Sequence, residues 1–260
     1  SYEPYILGFI QADGTNYQAT DMPNNFVRVT WSSSGNILYG LSNPQGMPSY
    51  RDIGYPAYWD IKNNNFQACF SATQYDEQNK VYKYVSLPHY EQIEEYENEK
   101  YPHAAILYTF EEIIIFDVDS CQTIQYLVDN SKTPEHQFIS GFSFYSERNE
   151  LLYGQVNESN DQRSYQLFKL NLNTGESIEV TEGINPAWSP DGTKFAYLGM
   201  DGIYISSIEE KEPIHLYNTI FFDPWYKSST WIGTPQPRWA PDGKWIVFHQ
   251  CITGDSCSEE

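Results

Sequence analysis

The feature that most constrains this chain is a pattern that occurs twice, 51 positions apart. In both copies a tryptophan, Trp188 or Trp239, is followed by a Pro-Asp-Gly turn, and an apolar strand begins seven residues after the tryptophan. Proline sets φ for such a turn, aspartate caps it locally, and glycine takes the positive φ that closes a hairpin. Each copy therefore predicts a β-hairpin, and the recurrence predicts a repeat architecture.

Weaker copies of the same hairpin occur earlier in the chain. Trp31 leads to Leu38 and Phe144 leads to Leu151, again with a spacing of seven residues. A second kind of hairpin alternates with these four, and it consists of an apolar strand, a polar turn and a more amphipathic strand. Its predicted copies are residues 6–20, 57–70, 113–128, 166–181 and 203–216.

One inner hairpin of the Trp type and one outer hairpin of the second type make a four-stranded blade. The pattern predicts an all-β propeller of five such blades in a single domain, residues 1–260, with the N- and C-terminal hairpins closing the ring in one blade. The fifth inner hairpin is predicted to pair residues 81–85 with 104–110. A six-bladed ring is the alternative, if Tyr58 and Trp59 begin an inner strand. They follow Trp31 too closely for a blade of about 40 residues.

Two segments resemble a known repeat. Residues 188–192 (Trp-Ser-Pro-Asp-Gly), with their copy at 239–243, are similar to the TolB-type propeller repeat, and residues 7–16 resemble its outer hairpin. The resemblance implies a propeller and a role in protein association, often outside the cytoplasm. Such repeats also form the non-catalytic propeller of prolyl-peptidase-type enzymes. The repeat motif is structural, so the resemblance implies a fold and transfers no site residues.

The charge of the chain excludes some partners. Lys and Arg total 15 against 35 Asp and Glu, which gives a formal net charge of −20. A field of this sign repels nucleic acid. The sequence contains no apolar run of about 18 residues, the length that would predict a membrane-spanning segment. The few lysines, the many Asn, Gln and Tyr residues, and a glycosylation sequon at Asn157 favour an extracellular, cell-surface or periplasmic location.

The cysteines and histidines indicate no metal or cofactor. The four cysteines form no Cys-x-x-Cys pair, which argues against a zinc or thioredoxin-type site. Cys251 and Cys257 are close enough to close a small disulfide loop, and the states of Cys69 and Cys121 stay open. The five histidines are scattered singly.

The sequence predicts that the chain is not an enzyme. A nucleophile elbow, a His-Glu-x-x-His motif and a glycine-rich phosphate loop are all absent from the sequence. Propeller glycosidases need two or three carboxylates that project from inner strands. The predicted inner strands at 27–31, 138–142 and 237–239 contain no acidic residue.

A candidate binding site lies where the repeat is interrupted, in residues 219–233. Blade connections are usually about two to six residues long, so this segment is an insertion, and it is rich in aromatic rings. An aromatic cluster at a channel mouth could anchor a peptide or stack on a sugar. The alternative is that the rings cover the channel or fill a gap between blades. The candidate binding residues are Phe221, Phe222, Trp225, Tyr226 and Trp231.

A second interruption, residues 88–102, is long and acidic. It is predicted to form a short helix whose charged residues face solvent.

These observations predict a non-catalytic binding or assembly module of an exported or cell-surface protein, with a protein partner at the aromatic segment. A carbohydrate-binding lectin or degenerate glycosidase that uses the same rings is the first alternative. A structural repeat subunit of a surface layer or filament, with contacts through blade edges, is the second.

Overall fold

A computed structural model of the chain describes twelve stretches of sequence, in two units, residues 1–128 and 129–260. The described residues are 8–9, 18–19, 26–42, 55–69, 73–76, 81–84, 90, 92–133, 136–159, 162–209, 212–218 and 237–248.

Every regular element described in the first unit is a β-strand, and all the pairings are antiparallel. The strands are β1 (Gly8–Phe9), β2 (Gln18–Ala19), β3 (Phe26–Trp31), β4 (Ile37–Ser42), β5 (Tyr55–Asp60), β6 (Asn65–Ala68), β7 (Thr73–Asp76), β8 (Val81–Tyr84), β9 (Gln92–Glu95), β10 (Ala104–Tyr108), β11 (Glu112–Asp117) and β12 (Gln122–Asp129). They form two four-stranded sheets, in the orders β3-β4-β5-β6 and β9-β10-β11-β12, and the two-stranded pairs β1-β2 and β7-β8.

The second unit repeats this arrangement. Its strands are β13 (His136–Tyr145), β14 (Glu150–Ser159), β15 (Gln162–Asn171), β16 (Ser177–Glu182), β17 (Ile184–Trp188), β18 (Phe195–Leu198), β19 (Gly202–Ser206), β20 (Ile214–Asn218), β21 (Arg238–Trp239) and β22 (Ile246–Val247), with one short 3₁₀ turn at Ser146–Arg148. They form the four-stranded sheets β13-β14-β15-β16 and β17-β18-β19-β20 and the pair β21-β22.

The predicted Trp-type hairpins are confirmed in register. In each copy the residue seven positions after the repeat aromatic is its direct cross-strand partner, and the four pairs are Trp31–Leu38, Phe144–Leu151, Trp188–Phe195 and Trp239–Ile246. In the Trp188 copy the turn closes when the Gly192 N–H donates to the Ser189 carbonyl over 2.9 Å. Gly192 has a φ of 64° there, the positive value that the sequence motif predicts.

Four of the five predicted outer hairpins are confirmed by their strand pairs, β5-β6, β11-β12, β15-β16 and β19-β20. The N-terminal hairpin is described only where β1 pairs with β2, and its predicted turn lies outside the described residues. Each outer hairpin ends in the strand farthest from the Trp-type hairpin of its sheet.

The number of complete blades differs from the prediction. The described residues contain four four-stranded sheets, whereas five were predicted. The strands expected to make the fifth, β1, β2, β21 and β22, occur as two separate two-stranded pairs. The closure of a ring by these terminal hairpins, and the single-domain organisation, stay predictions.

The predicted fifth inner hairpin is wrong. Strand β8 was expected to pair with residues 104–110, but it pairs with β7 instead, with Asp76 opposite Val81. Strand β10 pairs with β9 and β11. The shorter connection between β7 and β8 closes a local hairpin at a lower entropic cost than the predicted long connection.

Residues 90 and 92–102, the described part of the acidic segment, do not form the predicted helix. Residues 92–95 are strand β9, which occupies in its sheet the edge position that β17 occupies in its own. Ile93 is buried in the core, and Leu107 of the fully buried strand β10 lies opposite it. This pairing overrides the helical propensity of the glutamates, because strand propensity depends mainly on packing against neighbouring strands.

Each unit has its own aromatic and aliphatic core. In the first unit the core joins β4 and β5 to β9, β10 and β11, with Tyr39, Leu107 and Phe116 among its members. In the second unit Trp188 and Phe195 pack edge-on, with their ring centroids 5.9 Å apart. Strand β17 is buried at every position, whereas the outermost strands of the sheets are largely exposed.

A disulfide joins Cys69, just after β6, to Cys121 in the turn between β11 and β12, with a Cα–Cα distance of 5.4 Å. The bond connects the two four-stranded sheets of the first unit. Cys251 and Cys257, the pair that the sequence favoured, lie outside the described residues. No helix in the described part of the chain has the length and apolarity needed to cross a bilayer.

Candidate functional site

The predicted binding residues Phe221, Phe222, Trp225, Tyr226 and Trp231 all lie outside the described residues. Their part in binding therefore stays a prediction. The structure does describe the strands on either side of this segment. Strand β20 ends at Asn218, and β21 begins at Arg238.

Those two strands are walls of one groove in the second unit, with a volume of about 490 Å³. We call it the Trp245 groove. Its apolar lining is Ile203, Ile205, Leu216, Tyr217, Trp239, Trp245, Ile246 and Phe248, and its polar lining is Ser189, Asp191, Thr193, Gly243, Lys194 and Lys244. In the sequence, the predicted aromatic segment lies between these two strands.

Trp245 is the most exposed large apolar side chain of the groove, with 74% of its surface accessible. It lies at the end of the second Pro-Asp-Gly turn, where its carbonyl accepts a hydrogen bond from the Ala240 N–H over 2.8 Å. The turn therefore fixes its backbone while the indole stays open to solvent. Exposed tryptophans give large contact areas at a low entropic cost when they bind a partner.

Three further rings line the groove. The Trp239 indole N–H donates to the Ala187 carbonyl over 3.0 Å, which anchors β21 to β17. Tyr217 of β20 lies beside Phe248, with ring centroids 5.2 Å apart. The groove thus has one anchored ring, one exposed ring and a tilted aromatic pair.

The sequence analysis missed Trp245, because the residue lies inside a motif assigned to structure. A signal was present in the comparison of the four repeat copies. The position one residue before the cross-strand partner is Ile37, Glu150 and Lys194 in the other copies, and only here is it tryptophan. A large ring at a position that the fold does not need for packing indicates a binding role.

The charged residues that line the groove are Asp191, Lys194 and Lys244. Asp191 accepts hydrogen bonds from the Ser189 hydroxyl and from the Thr193 N–H and hydroxyl over 2.7–3.0 Å. These bonds, led by the backbone N–H of Thr193, lower the pKa of Asp191 to about 2. In the second turn the Lys244 N–H donates to Asp242 over 3.0 Å. The first turn thus contributes Asp191 and Lys194 to the lining, and the second contributes Lys244.

A second polar cluster lies between the two four-stranded sheets of the first unit. Glu95 accepts hydrogen bonds from the Ser33 N–H over 2.6 Å and from the Ser33 hydroxyl over 2.8 Å. The buried Tyr39 hydroxyl donates to Glu97 over 2.6 Å. Burial raises the pKa of Glu97, the hydrogen bond from Tyr39 opposes this effect, and the nearby Glu95 carboxylate raises the pKa further.

A neighbouring triad connects the same two sheets. Asp119 bonds the His103 ring nitrogen Nδ1 over 2.8 Å and accepts from the Tyr58 hydroxyl over 3.0 Å. The Tyr58 and His103 rings stack, with centroids 4.3 Å apart. The carboxylate thus holds a tyrosine and a histidine in place.

These carboxylates correct one premise of the sequence analysis. The inner strands named there lack acidic residues, but β9 holds the equivalent position in its sheet and contains Glu94 and Glu95. The catalytic carboxyl groups of glycosidases stand about 5–9.5 Å apart, to leave room for sugar or water. Here Glu95 accepts hydrogen bonds from Ser33, and Glu97 accepts one from Tyr39.

No group of three or more His, Cys, Asp or Glu side chains placed to hold a metal ion occurs in the part of the chain that the structure describes. His89, one of the residues flanking the acidic segment, lies outside that part. The absence of a metal site stays a prediction.

Comparisons with known proteins give a fold and no family. No protein-family model matches the sequence, and no curated protein matches it either. The solved structures that resemble it include an oligogalacturonate lyase in complex with manganese, at a TM-score of 0.61 and 12% identity over 96% of this chain and 69% of that one.

Two bacterial surface proteins also resemble it. One is PorZ, a surface component of the type-IX secretion system of Porphyromonas gingivalis, at a TM-score of 0.51 and 10% identity over 89% of this chain. The other is the extracellular domain of a protein from B. thetaiotaomicron, at 0.52 and 11% identity over 90% of this chain. The chain spans 27% of each of those longer proteins.

These likenesses establish the fold class. The chain is an all-β protein built from four-stranded antiparallel propeller blades, and the resemblance to the TolB-type repeat is confirmed at the level of the fold. At identities of 10–12% the likeness carries no activity.

Proposed function

We propose that this chain is a non-catalytic binding module of an exported or cell-surface protein, and that the Trp245 groove binds a protein partner. The observation that carries the proposal is the exposed Trp245 ring beside a groove of aromatic and aliphatic side chains. Tryptophan and tyrosine are the residues most enriched among those that dominate binding energy at protein interfaces. The groove has a polar rim, as protein-binding surfaces do.

An exported location is supported by the disulfide between Cys69 and Cys121. Structural disulfides are typical of oxidising compartments and rare in the cytosol. Two of the solved structures with this fold come from surface or extracellular proteins.

The non-catalytic assignment is supported by the polar clusters of the first unit. Glu95, Glu97 and Asp119 are all engaged by hydrogen bonds to side chains of the neighbouring sheet. They hold the two sheets together, which is a structural task.

A carbohydrate ligand is the second candidate for the same groove. Trp245 presents an open ring, and Asp191, Thr193 and Lys194 provide hydrogen-bonding groups nearby. Aromatic rings beside polar side chains also suit a sugar. The oligogalacturonate lyases are propellers of the same fold class that act on an acidic oligosaccharide.

The test is to screen the full chain against a phage-displayed peptide library and a glycan array in parallel. We expect peptides to be enriched on the wild-type chain. The variant Trp245→Ala should weaken their binding about 10- to 100-fold, as truncation of a dominant interface residue does. Because the indole is exposed, this substitution should leave the free energy of unfolding nearly unchanged.

Tyr126→Ala is the matched control, because Tyr126 is an exposed aromatic on the outermost strand of a sheet in the other unit. It should bind the peptides like wild type. Recovery of no peptide, or equal loss of binding in both variants, would refute the proposal. Enrichment of glycans alone, dependent on Trp245, would replace the protein partner with a carbohydrate.

A further inference from the structure

Strand β20 is the outermost strand of the sheet β17-β18-β19-β20, and one of its edges is therefore open. Within the described residues its only strand partner is β19, from Ile205 opposite Ile214 to Gly202 opposite Asn218. An edge strand presents a row of unpaired N–H and C=O groups, on which another strand can form.

This edge differs from those of the other three complete sheets. All five residues of β20 are exposed, including Ile214, Leu216 and Tyr217, at 55%, 46% and 47% of their surface. The outermost strands β6, β12 and β16 each contain half-buried residues. Described contacts on β20 include the Phe248 ring beside Tyr217 and the Tyr204 ring beside His215.

The strand has one feature that protects edges, a β-bulge at Leu216 in its pairing with β19, but no protective side chain. Proteins guard open strands with charged side chains or proline, and β16 follows this rule with Glu179 and Glu182. The β20 sequence, Ile-His-Leu-Tyr-Asn, has no lysine, carboxylate or proline. An apolar edge of this kind is the usual template for an added strand.

The Trp245 groove runs beside this edge. Leu216 and Tyr217 belong both to β20 and to the lining of the groove. A strand added to a sheet edge gains affinity from main-chain hydrogen bonds and specificity from pockets that take its alternate side chains. The edge and the groove together provide both parts of such a site.

Charges at the two ends of β20 indicate the chemistry of its partner. Glu209 and Glu212 lie in the exposed turn before the strand. Asp201 lies at the other end, next to Gly202, which pairs with the last residue of β20. The whole chain carries a net charge of −20, which attracts basic segments.

We propose that β20 binds an extended segment of a partner protein as an added β-strand, and that this segment has alternating apolar residues and basic residues at both ends. The inference rests on the proposed function, whose partner it describes. A second copy of the chain fits the edge less well. Antiparallel pairing of two β20 strands would place the glutamates of one copy beside Asp201 of the other, and like charges repel.

The test uses a synthetic peptide, Lys-Lys-Val-Thr-Val-Thr-Val-Lys-Lys, with the full chain. Hydrogen exchange should slow at the backbone amides of residues 214–218 when the peptide is added. A peptide with glutamates in place of the lysines should bind at least about tenfold more weakly, because both partners would then be acidic.

N-methylated peptides test whether a strand is added. In an added strand, the backbone N–H groups of every second peptide residue face β20. Methylation of those nitrogens should abolish the protection of residues 214–218, whereas methylation of the other nitrogens should be tolerated. Leu216→Thr should weaken binding at least about tenfold by removing apolar contact. Ile178→Thr is the matched control, since Ile178 is an exposed apolar residue on the outermost strand β16, and it should bind like wild type.

Three results would overturn the inference. The first is no protection of residues 214–218 at millimolar peptide, and the second is equal tolerance of both N-methylated sets. The third is protection that rises with protein concentration in the absence of peptide, which would identify a second copy as the occupant. Library peptides that need Trp245, together with an unprotected β20, would uphold the proposed function and reject only the added strand.

Discussion

At the scale of single residues, the turn glycines show how the repeat motif works. Gly35, Gly192 and Gly243 follow three of the repeat tryptophans at the same distance, and their φ values lie between 64° and 69°. Each N–H donates to a carbonyl three residues earlier over 2.9 Å. The motif therefore specifies a backbone conformation that residues with a side chain adopt only at a cost.

Two of these glycines have different surroundings, which gives a matched test. A Cβ atom added at Gly35 would have no heavy atom within 4 Å, whereas one added at Gly192 would overlap the ring of Tyr145. Gly35→Ala should lower the free energy of unfolding by about 1–2 kcal/mol, the cost of a left-handed residue. Gly192→Ala should lower it by about 2–5 kcal/mol, because overpacking adds to that cost.

Urea unfolding of the two variants beside wild type measures both values. Equal losses at the two positions would show that the ring of Tyr145 does not pack on the turn as described.

At the scale of strands and sheets, the sequence was most informative where turn chemistry decides the structure. The spacing of seven residues predicted the register of four hairpins, because turn geometry and loop length fix the register of a hairpin. The turns at 62–65 and 173–175 likewise predicted the outer hairpins β5-β6 and β15-β16.

Strand β9 could not be predicted in this way. Its sequence, Gln-Ile-Glu-Glu, has helical propensity and no turn signal, and its conformation is set by the buried strand β10 beside it. Local sequence does not report a partner that lies farther along the chain. The disulfide between Cys69 and Cys121 was missed for a similar reason, since 52 residues separate the two cysteines and only the packing of the sheets brings them together.

The contact between these sheets should depend on pH. Burial raises the pKa of Glu97 above its ordinary value of 4.5, so the folded state holds the proton more tightly than the unfolded chain. Stability from this group is therefore greatest below about pH 4.5 and falls as pH rises through the raised pKa. The groups that act on Glu97 are Tyr39, Glu95 and His103.

Glu97→Gln tests this effect, because an uncharged amide can still accept the hydrogen bond from Tyr39. Denaturant unfolding of both proteins should be measured from pH 4 to pH 8. The variant should gain stability relative to wild type as pH rises, and the difference should level off above the raised pKa. If the difference in the free energy of unfolding stays constant with pH, the described burial of Glu97 is contradicted. The same holds if the wild type becomes more stable relative to the variant as pH rises.

At the scale of the whole molecule, the fold class is established and the function is proposed. The strand pattern and the solved structures agree on an all-β propeller class. Propellers serve as enzymes, receptors and assembly modules, so the fold by itself selects no activity. Function has to come from the surface, where the candidate site could be predicted only in part. The sequence indicated an aromatic insertion after β20, but it gave no sign that the strands around it form a groove.

The central claim is that a protein ligand binds at the aromatic side of the second unit. Photo-crosslinking tests it most directly, with a benzoylphenylalanine placed in turn at positions 217, 225 and 126 and the library peptides as ligands. Position 217 lies on the groove wall, 225 in the predicted aromatic segment, and 126 on an exposed strand of the other unit. We expect crosslinks from positions 217 and 225 and none from position 126. Crosslinks from 126 alone, or equally from all three positions, would contradict it.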